Sequence, residues 1–254
     1  EDGIADFINY MGKKGMKNST INKQLGFLRW YLRWCYEKDY HTNHTFEHFK
    51  PKLKSASKRV IFLTQEELEK VENLKIPEKY ISLEAVRDVF LFCCYTGLRY
   101  SDVNNLTWED IHNRKIEIVT VKTADRIIIE INSKSQAILD KYSDIHFPDK
   151  KVLPIISNQK MNKRLHTLCK LAGIDEPIKS THYEGNKRID EVKPKYELVG
   201  THCGRRTFIC TALAKGIPPS VVMKWTGHSD YKAMKPYIDI ADEVKSSYMK
   251  QFDE

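Results

Sequence analysis

The sequence lacks the features that would indicate a membrane or secreted protein. No apolar run is long enough to cross a bilayer, and no signal peptide opens the chain. The six cysteines form no C-x-x-C pair and show no spacing typical of disulfides. Unpaired cysteines are typical of a reducing compartment, so we expect a cytoplasmic protein.

Metal-binding patterns are also missing. The chain has no cluster of Asp and Glu suited to holding two metal ions. His41, His44 and His48 have helix-compatible spacing, but no carboxylate or cysteine completes a site there. We therefore expect neither a metal nor a cofactor. The chain begins at Glu1 without an initiator Met, so we also expect it to be a fragment of a longer protein.

Acidic residues are outnumbered by basic ones. The 254 residues carry a net charge of +8, and residues 1–60 hold 12 Lys and Arg against 6 Asp and Glu. Three quarters of the excess charge therefore lies in the first quarter of the chain. A basic segment of this kind predicts a polyanionic partner, most commonly nucleic acid, although a basic surface can serve solubility alone.

The first 50 residues are predicted to be helical. Apolar residues recur at helical spacing over 4–11 and again over 21–35. Gly15 separates the two patterns, and Ser19 or Thr20 is the expected N-cap of the second helix. Residues 51–60 follow without periodicity and with many cations, which predicts a linker.

A longer mixed region begins at residue 61. Thr64 and Glu67 form a capping-box pattern that predicts the start of a helix. Gly97 is the expected C-cap of a helix over 83–95. The other predicted elements follow in chain order: a hairpin from 115–121 and 126–131, helices over 134–142 and 157–172, an extended stretch over 178–199 with a turn at Gly185-Asn186, a helix from Thr201 towards Gly216, and one opened by Pro218-Pro219. The fold class is thus mainly α with small β-hairpins, an α+β arrangement.

Five residues in the second region suit the chemistry of a phosphodiester. Arg99 lies in a Thr-Gly-Leu-Arg turn, His202 and Arg205 form an H-x-x-R pattern, His228 follows a glycine, and Tyr237 lies nine residues later. Guanidinium groups bind non-bridging phosphate oxygens through parallel N–H donors, and a phenol can attack phosphorus to form a covalent ester.

This ordered set resembles the pattern of the tyrosine recombinase, or phage integrase, family, from about residue 60 to near the C-terminus. The family has an arginine in a T-G-L-R turn, then a lysine, H-x-x-R, G-H and a tyrosine. The resemblance is greatest to integrases of integrative mobile elements. It implies a helical core-binding (SAM-like) portion at 1–50, a linker at 51–60 and a catalytic domain at 61–254.

The resemblance also implies roles for the site residues. Arg99 and Arg205 would stabilise charge on the phosphate, and His202 and His228 would hydrogen-bond it. His202 would accept the proton of Tyr237, the nucleophile, since a phenol with a pKa of about 10 is protonated at neutral pH.

Three of the residue roles have alternatives. Lys122, in a Lys-Thr pair at the hairpin tip, is the expected general acid for the leaving 5′-oxygen, although a hairpin lysine is often only solvated and Lys115 competes with it. Tyr231 competes with Tyr237 as nucleophile. Asp102 either orients a neighbouring cation or caps a helix.

The partners implied by the family are double-stranded DNA and three further copies of the chain. A homotetramer would act on two DNA sites through a Holliday junction to integrate or excise a mobile element, and accessory proteins that bend DNA fit this scheme. A tail helix with Ile238, Ile240, Val244 and Tyr248 would dock on a neighbouring protomer or pack on its own domain. The alternatives are a type IB topoisomerase, which shares the chemistry, and a non-catalytic DNA-binding regulator.

Overall fold

The computed structural model describes residues 2–57 and 59–240. It is mainly helical with two small sheets, as the sequence predicts. The helices are α1 (Asp2–Lys13), α2 (Asn18–Glu37), α3 (Thr45–His48), α4 (Gln65–Glu72), α5 (Leu83–Thr96), α6 (Tyr100–Asn105), α7 (Ser133–Tyr142), α8 (Asn158–Leu171), α9 (Thr201–Ala214) and α10 (Pro219–Thr226). The strands are β1 (Ile111–His112), β2 (Lys115–Val119), β3 (Arg126–Glu130), β4 (Pro177–Glu184) and β5 (Lys187–Pro194). Residues 235–240 are also helical.

Contacts divide the chain into two compact units. The first is Glu1–Arg59 together with Pro177–Lys193, and the second is Val60–Glu176 together with Pro194–Glu254. The β4–β5 hairpin therefore groups with the N-terminal segment, although it lies inside the range 61–254 that the sequence assigns to the catalytic domain.

Asn18 explains why the hairpin belongs to the first unit. Its buried amide donates to the carbonyls of Gly185 at 2.8 Å and Lys54 at 2.9 Å, and its oxygen accepts from the Gly185 N–H at 2.8 Å. The prediction of a cap at Ser19 or Thr20 is wrong, because α2 already begins at Asn18. The start of α2 is therefore set by the tertiary contact of Asn18 with the turn of the β4–β5 hairpin, and not by the local preference of Ser or Thr for the N-cap position.

The second unit is built around α5. This helix is buried along most of its length, including Phe90 and Phe92, and it packs against α7, α8 and α9. Its predicted end is confirmed, since Gly97 is the C-cap and adopts the left-handed conformation with φ of 73°. The predicted capping box of Thr64 and Glu67 at the start of α4 is confirmed as well.

A three-stranded antiparallel sheet has the order β1-β2-β3. The predicted hairpin is confirmed, with Lys115 opposite Glu130 and Val119 opposite Arg126. Neither β1 nor α6 is predictable from the sequence, because two and six residues are too short to show a periodic pattern. The loop between β2 and β3 carries Lys122.

A second apolar cluster, separate from the core around α5, lies near the end of the described chain. It contains Ile209, Leu213, Val222 and Met234, and Tyr237 packs against it. The predicted tail helix falls largely on residues 241–254, outside the described residues. Among the helices that the structure describes, none is long and apolar enough to span a bilayer.

Candidate active site

Arg205 on α9 is the central residue of the candidate site. It is 1% exposed, its Nη1 donates to the Gly97 carbonyl at 3.0 Å, and its Nη2 donates to the Thr226 carbonyl. Burial, followed by repulsion from Arg99, lowers the pKa of Arg205 to about 10, so the guanidinium remains charged at neutral pH. The carbonyls orient this group without neutralising it, which leaves its charge available to an anion.

Two glycines allow the chain to place Arg205 there. A Cβ on Gly204 would lie 2.8 Å from Cβ of Cys93. Helices α5 and α9 can therefore approach this closely only because position 204 has no side chain. At Gly97 a Cβ would lie 2.5 Å from the Phe208 ring, in addition to the cost of its positive φ.

Arg99 supplies a second guanidinium at the start of α6. Its side chain is 14% exposed, and Nη1 lies 3.7 Å from Oδ2 of Asp102. This distance is too long for a hydrogen bond, and both atoms are buried without a hydrogen-bond partner among the described residues. Arg99 thus has a donor that a phosphate oxygen could use.

Asp102 also holds the loop that carries Lys122. Its Oδ1 accepts a hydrogen bond from the Val121 N–H at 3.0 Å. Lys122 itself is exposed, and its charge contributes to the lowered pKa of His202. Lys115, the competing lysine, lies at the opposite end of β2 from this loop.

His228 follows the left-handed Gly227, which ends α10 with φ of 58°. Its Nδ1 lies 2.7 Å from Oγ1 of Thr226, whereas Nη2 of Arg205 lies 3.4 Å from its Nε2 and 3.5 Å from its Nδ1. Burial, with repulsion from Arg205 and other cations, lowers the pKa of His228 to about 4. The ring is therefore neutral at neutral pH in the free protein.

His202 lies in the first turn of α9. More than a third of the residue is exposed, yet loss of water around the ring is the largest cause that lowers its pKa to about 4. Repulsion from Arg206, Arg205, Arg99 and Lys122 acts in the same direction. A neutral imidazole among these cations can accept a proton.

Tyr237 is half-buried against the second apolar cluster, and its N–H donates to the Met234 carbonyl at 2.9 Å. Its phenol is close enough to Arg205 to raise the pKa of that guanidinium, opposing the effect of burial. Tyr231 belongs to a short 3-10 turn, Tyr231–Ala233, and is 58% exposed.

The structure therefore brings all six predicted residues into one connected region of the second unit. Hydrogen bonds link Arg205 to the Thr226-His228 turn, and electrostatic effects link it to Arg99 and Tyr237 and link His202 to Lys122. The geometry suits binding of an anion by fixed cations beside two neutral imidazoles. No group of three or more metal-binding side chains occurs within the described residues.

Sequence reasoning missed Thr226, which contacts both Arg205 and His228. The signal was available, since a threonine directly before a Gly-His pair at a helix end can turn its hydroxyl to a nearby polar group. It also assigned no role to Arg206, whose charge is the largest cause of the lowered pKa of His202 after desolvation.

Comparison with solved structures shows the fold. The integrase of the Tn1549 transposon, in complex with a circular intermediate DNA, matches with a TM-score of 0.71 and 18% identity, over 92% of this chain and 79% of that one. A lambda integrase dimer bound to a COC′ core site matches with a TM-score of 0.68 and 18% identity, over 93% and 78%. XerA recombinase matches with a TM-score of 0.56 and 16% identity, over 99% and 90%.

Sequence comparison shows the family. No curated protein gives a significant match to this chain. The model of the phage integrase family, however, matches residues 61–243, which is most of the chain and includes all six candidate residues. The chain therefore belongs to the phage integrase family of tyrosine recombinases.

Proposed function

We propose that this protein is a site-specific DNA recombinase that cuts and rejoins DNA through a 3′-phosphotyrosyl intermediate. The observation that carries the proposal is the setting of Arg205. Its buried, charged guanidinium is oriented by two carbonyls, lies beside His228, and is within electrostatic reach of Arg99 and Tyr237. Oriented cations next to a phenol suit attack on a phosphodiester.

The proposed cleavage step exchanges one phosphate ester for another. The phenol oxygen of Tyr237 attacks phosphorus, and the bond from phosphorus to the 5′-oxygen breaks. His202 accepts the phenol proton, and Lys122 gives a proton to the departing 5′-oxygen. The products are a 3′-phosphotyrosyl ester and a free 5′-hydroxyl, so reversal with a second strand needs no external energy source.

Arg99 and Arg205 stabilise the charge that builds up on the non-bridging oxygens during attack, and His228 contacts the same phosphate. Preorganised charges of this kind are usually the largest source of catalysis, because the site does not have to reorganise as the reaction proceeds. The Nη1 donor of Arg99, which has no hydrogen-bond partner among the described residues, could serve this purpose.

The proposed substrate is a pair of double-stranded DNA sites, bound by four protomers that exchange strands through a Holliday junction. We further propose that the reaction integrates or excises a mobile element, with 1–50 as a core-binding clamp, 51–60 as a linker and 61–254 as the catalytic domain. The family match and the likeness to integrases solved with transposon and core-site DNA support this scheme.

A nicked suicide substrate tests the central step, because the short fragment that bears the released 5′-hydroxyl diffuses away and can no longer reverse the reaction, which traps the covalent adduct. The wild-type protein should form the adduct, Tyr231→Phe should retain it, and Tyr237→Phe should bind DNA without forming it. Adduct formation by Tyr237→Phe would overturn the assignment. Failure of the wild type to form any adduct would favour a non-catalytic DNA-binding regulator.

Two further assays separate the remaining alternatives. Adduct formation should survive excess EDTA, and a requirement for added magnesium would contradict the mechanism. A two-site recombination assay beside a supercoil-relaxation assay distinguishes a recombinase from a topoisomerase, because only the former joins ends from different sites.

A further inference from the structure

The hydroxyl of Thr226 lies between a carbonyl and the ring of His228. Thr226 is the last residue of α10 and is fully buried. Its Oγ1 is 2.6 Å from the carbonyl oxygen of Val222 and 2.7 Å from Nδ1 of His228. Both distances are those of good hydrogen bonds.

A hydroxyl has one hydrogen, so only one of these two bonds can use it. The Val222 carbonyl can only accept, and at 2.6 Å two oxygens repel each other unless a hydrogen lies between them. The Thr226 hydrogen therefore points at Val222. The hydroxyl turns a lone pair to His228, and Nδ1 must carry the hydrogen of that bond.

We propose that the Thr226 hydroxyl fixes His228 in the tautomer with hydrogen on Nδ1, leaving the lone pair on Nε2. Thr226 is then a positioning residue for the reaction proposed above, and its importance for catalysis rests on that proposal. The tautomer itself does not depend on it, because the bonds that determine it exist in the free protein.

This tautomer has a consequence for contact with phosphate. With Nδ1 occupied by Thr226, Nε2 is the ring nitrogen that a substrate could share with Nη2 of Arg205, which lies 3.4 Å away, and in the neutral ring Nε2 can only accept. To donate to a phosphate oxygen, His228 must take up a proton at Nε2. The titratable groups that act on the ring are Arg205 and His202 of α9 and Arg99 at the start of α6, and of these the two arginines are charged at neutral pH. The anionic phosphate would offset the repulsion from these arginines.

The protein offers a matched control for the Thr226 hydroxyl. Thr96 ends α5 directly before Gly97, as Thr226 ends α10 before Gly227, and both are fully buried. The Thr96 hydroxyl donates to the carbonyl four residues earlier, that of Phe92, at 2.7 Å. Thr96→Val and Thr226→Val both remove a hydroxyl that donates to the carbonyl four residues earlier; the first also removes an acceptor for the Leu98 N–H at 3.4 Å, and only the second removes a partner of His228.

Nitrogen NMR of the free protein with labelled histidine tests the tautomer directly at neutral pH. Wild type, Thr226→Ser and Thr96→Val should show His228 with Nδ1 protonated and Nε2 unprotonated. Thr226→Val, which keeps the shape and the carbonyl that holds Arg205, should shift the ring to the other tautomer or to a mixture. A wild-type ring protonated at Nε2, or a Thr226→Val spectrum identical to wild type, would overturn the proposal.

Cleavage of the nicked substrate provides the second readout. Thr226→Val should slow adduct formation by about 10-fold to 100-fold, by analogy with loss of the outer hydrogen-bond partner of a metal-bound histidine. Thr226→Ser should restore most of the rate, whereas a Thr226→Val rate equal to wild type would show that the hydroxyl does not position His228 for catalysis. If no variant or wild type forms an adduct, the proposed function fails, and the spectrum still decides the tautomer.

Discussion

The carboxylate of Asp102 accepts a hydrogen bond from the Val121 N–H at 3.0 Å, one residue before Lys122. The second oxygen of the same carboxylate lies 3.7 Å from Nη1 of Arg99. One buried acid therefore links the start of α6 to the loop between β2 and β3. This link connects two cations that we propose to act on opposite sides of one phosphate, on its non-bridging and its leaving oxygens.

Removal of this acid should disturb both cations. Asp102→Ala leaves a buried arginine without its counter-charge, which is expected to cost about 3 kcal/mol of folding free energy. It also releases the Lys122 loop, and a displacement of about 1 Å can slow a reaction about 10²-fold. Thermal melts and single-turnover cleavage would measure the two effects.

Two variants serve as controls for Asp102. Asp102→Asn keeps an acceptor for the Val121 N–H while removing the charge, so it should retain more activity than Asp102→Ala if the loop contact matters. Asp140→Ala, at an exposed site on α7, should resemble wild type in both assays. Equal cleavage by Asp102→Ala and wild type would contradict the proposed link.

Lys122 can be tested as general acid with a modified leaving group. Sulfur in place of the bridging 5′-oxygen leaves as a stable thiolate that needs no proton. Lys122→Ala should then be slow on ordinary DNA, by about 10²-fold to 10⁴-fold, but close to wild type on the sulfur substrate. Arg205→Ala should stay slow on both, because it loses stabilisation of the non-bridging oxygens.

Lys115→Ala is the matched control for Lys122→Ala, since Lys115 lies at the other end of β2. It should cleave both substrates at rates near wild type. If Lys122→Ala is equally slow on both substrates, Lys122 contacts the phosphate or a groove and is not the acid.

The close approach of α5 and α9 predicts opposite effects of the same substitution at two helical glycines. Gly204→Ala places a methyl group 2.8 Å from Cβ of Cys93 and should destabilise the fold by about 1–3 kcal/mol through overpacking. A Cβ added at Gly26 in α2 meets no atom within 4 Å in the described part of the chain, so Gly26→Ala should stabilise the fold by up to about 1 kcal/mol. Denaturant unfolding of both variants checks this, and a stabilised Gly204→Ala protein would contradict the packing described.

The histidine pKa values predict acid sensitivity of the free protein. His202 and His228 have pKa values of about 4 when folded, below the value of about 6.5 for an unfolded histidine. Between these values the unfolded chain binds more protons, so stability is complete above about pH 6.5 and falls as the pH decreases towards 4. The melting temperature of wild type should therefore fall more steeply over this range than that of a His202→Gln, His228→Gln double variant. Equal slopes would show that these histidines do not carry the effect.

Much of the fold and the proposed site could be predicted from local sequence. Helix α5 has a continuous apolar pattern and a terminal glycine, and the β2–β3 hairpin has β-branched residues on both sides of a short loop. The site residues lie in short motifs whose order along the chain is itself informative. These features depend on neighbouring residues, which is why sequence alone was sufficient for them.

Other features depended on contacts between residues far apart in the chain. The start of α2 is decided by Asn18, whose amide bonds to Gly185, and the environment of Arg205 is decided by carbonyls of Gly97 and Thr226. No local pattern encodes these partners, because they meet only when separate elements pack together. The sequence by itself determined the family, the helical class and the candidate residues. Tertiary packing decided their burial, their hydrogen-bond partners and the pKa values of His202 and His228, since desolvation and repulsion between charges arise only when those charges are brought together in the fold.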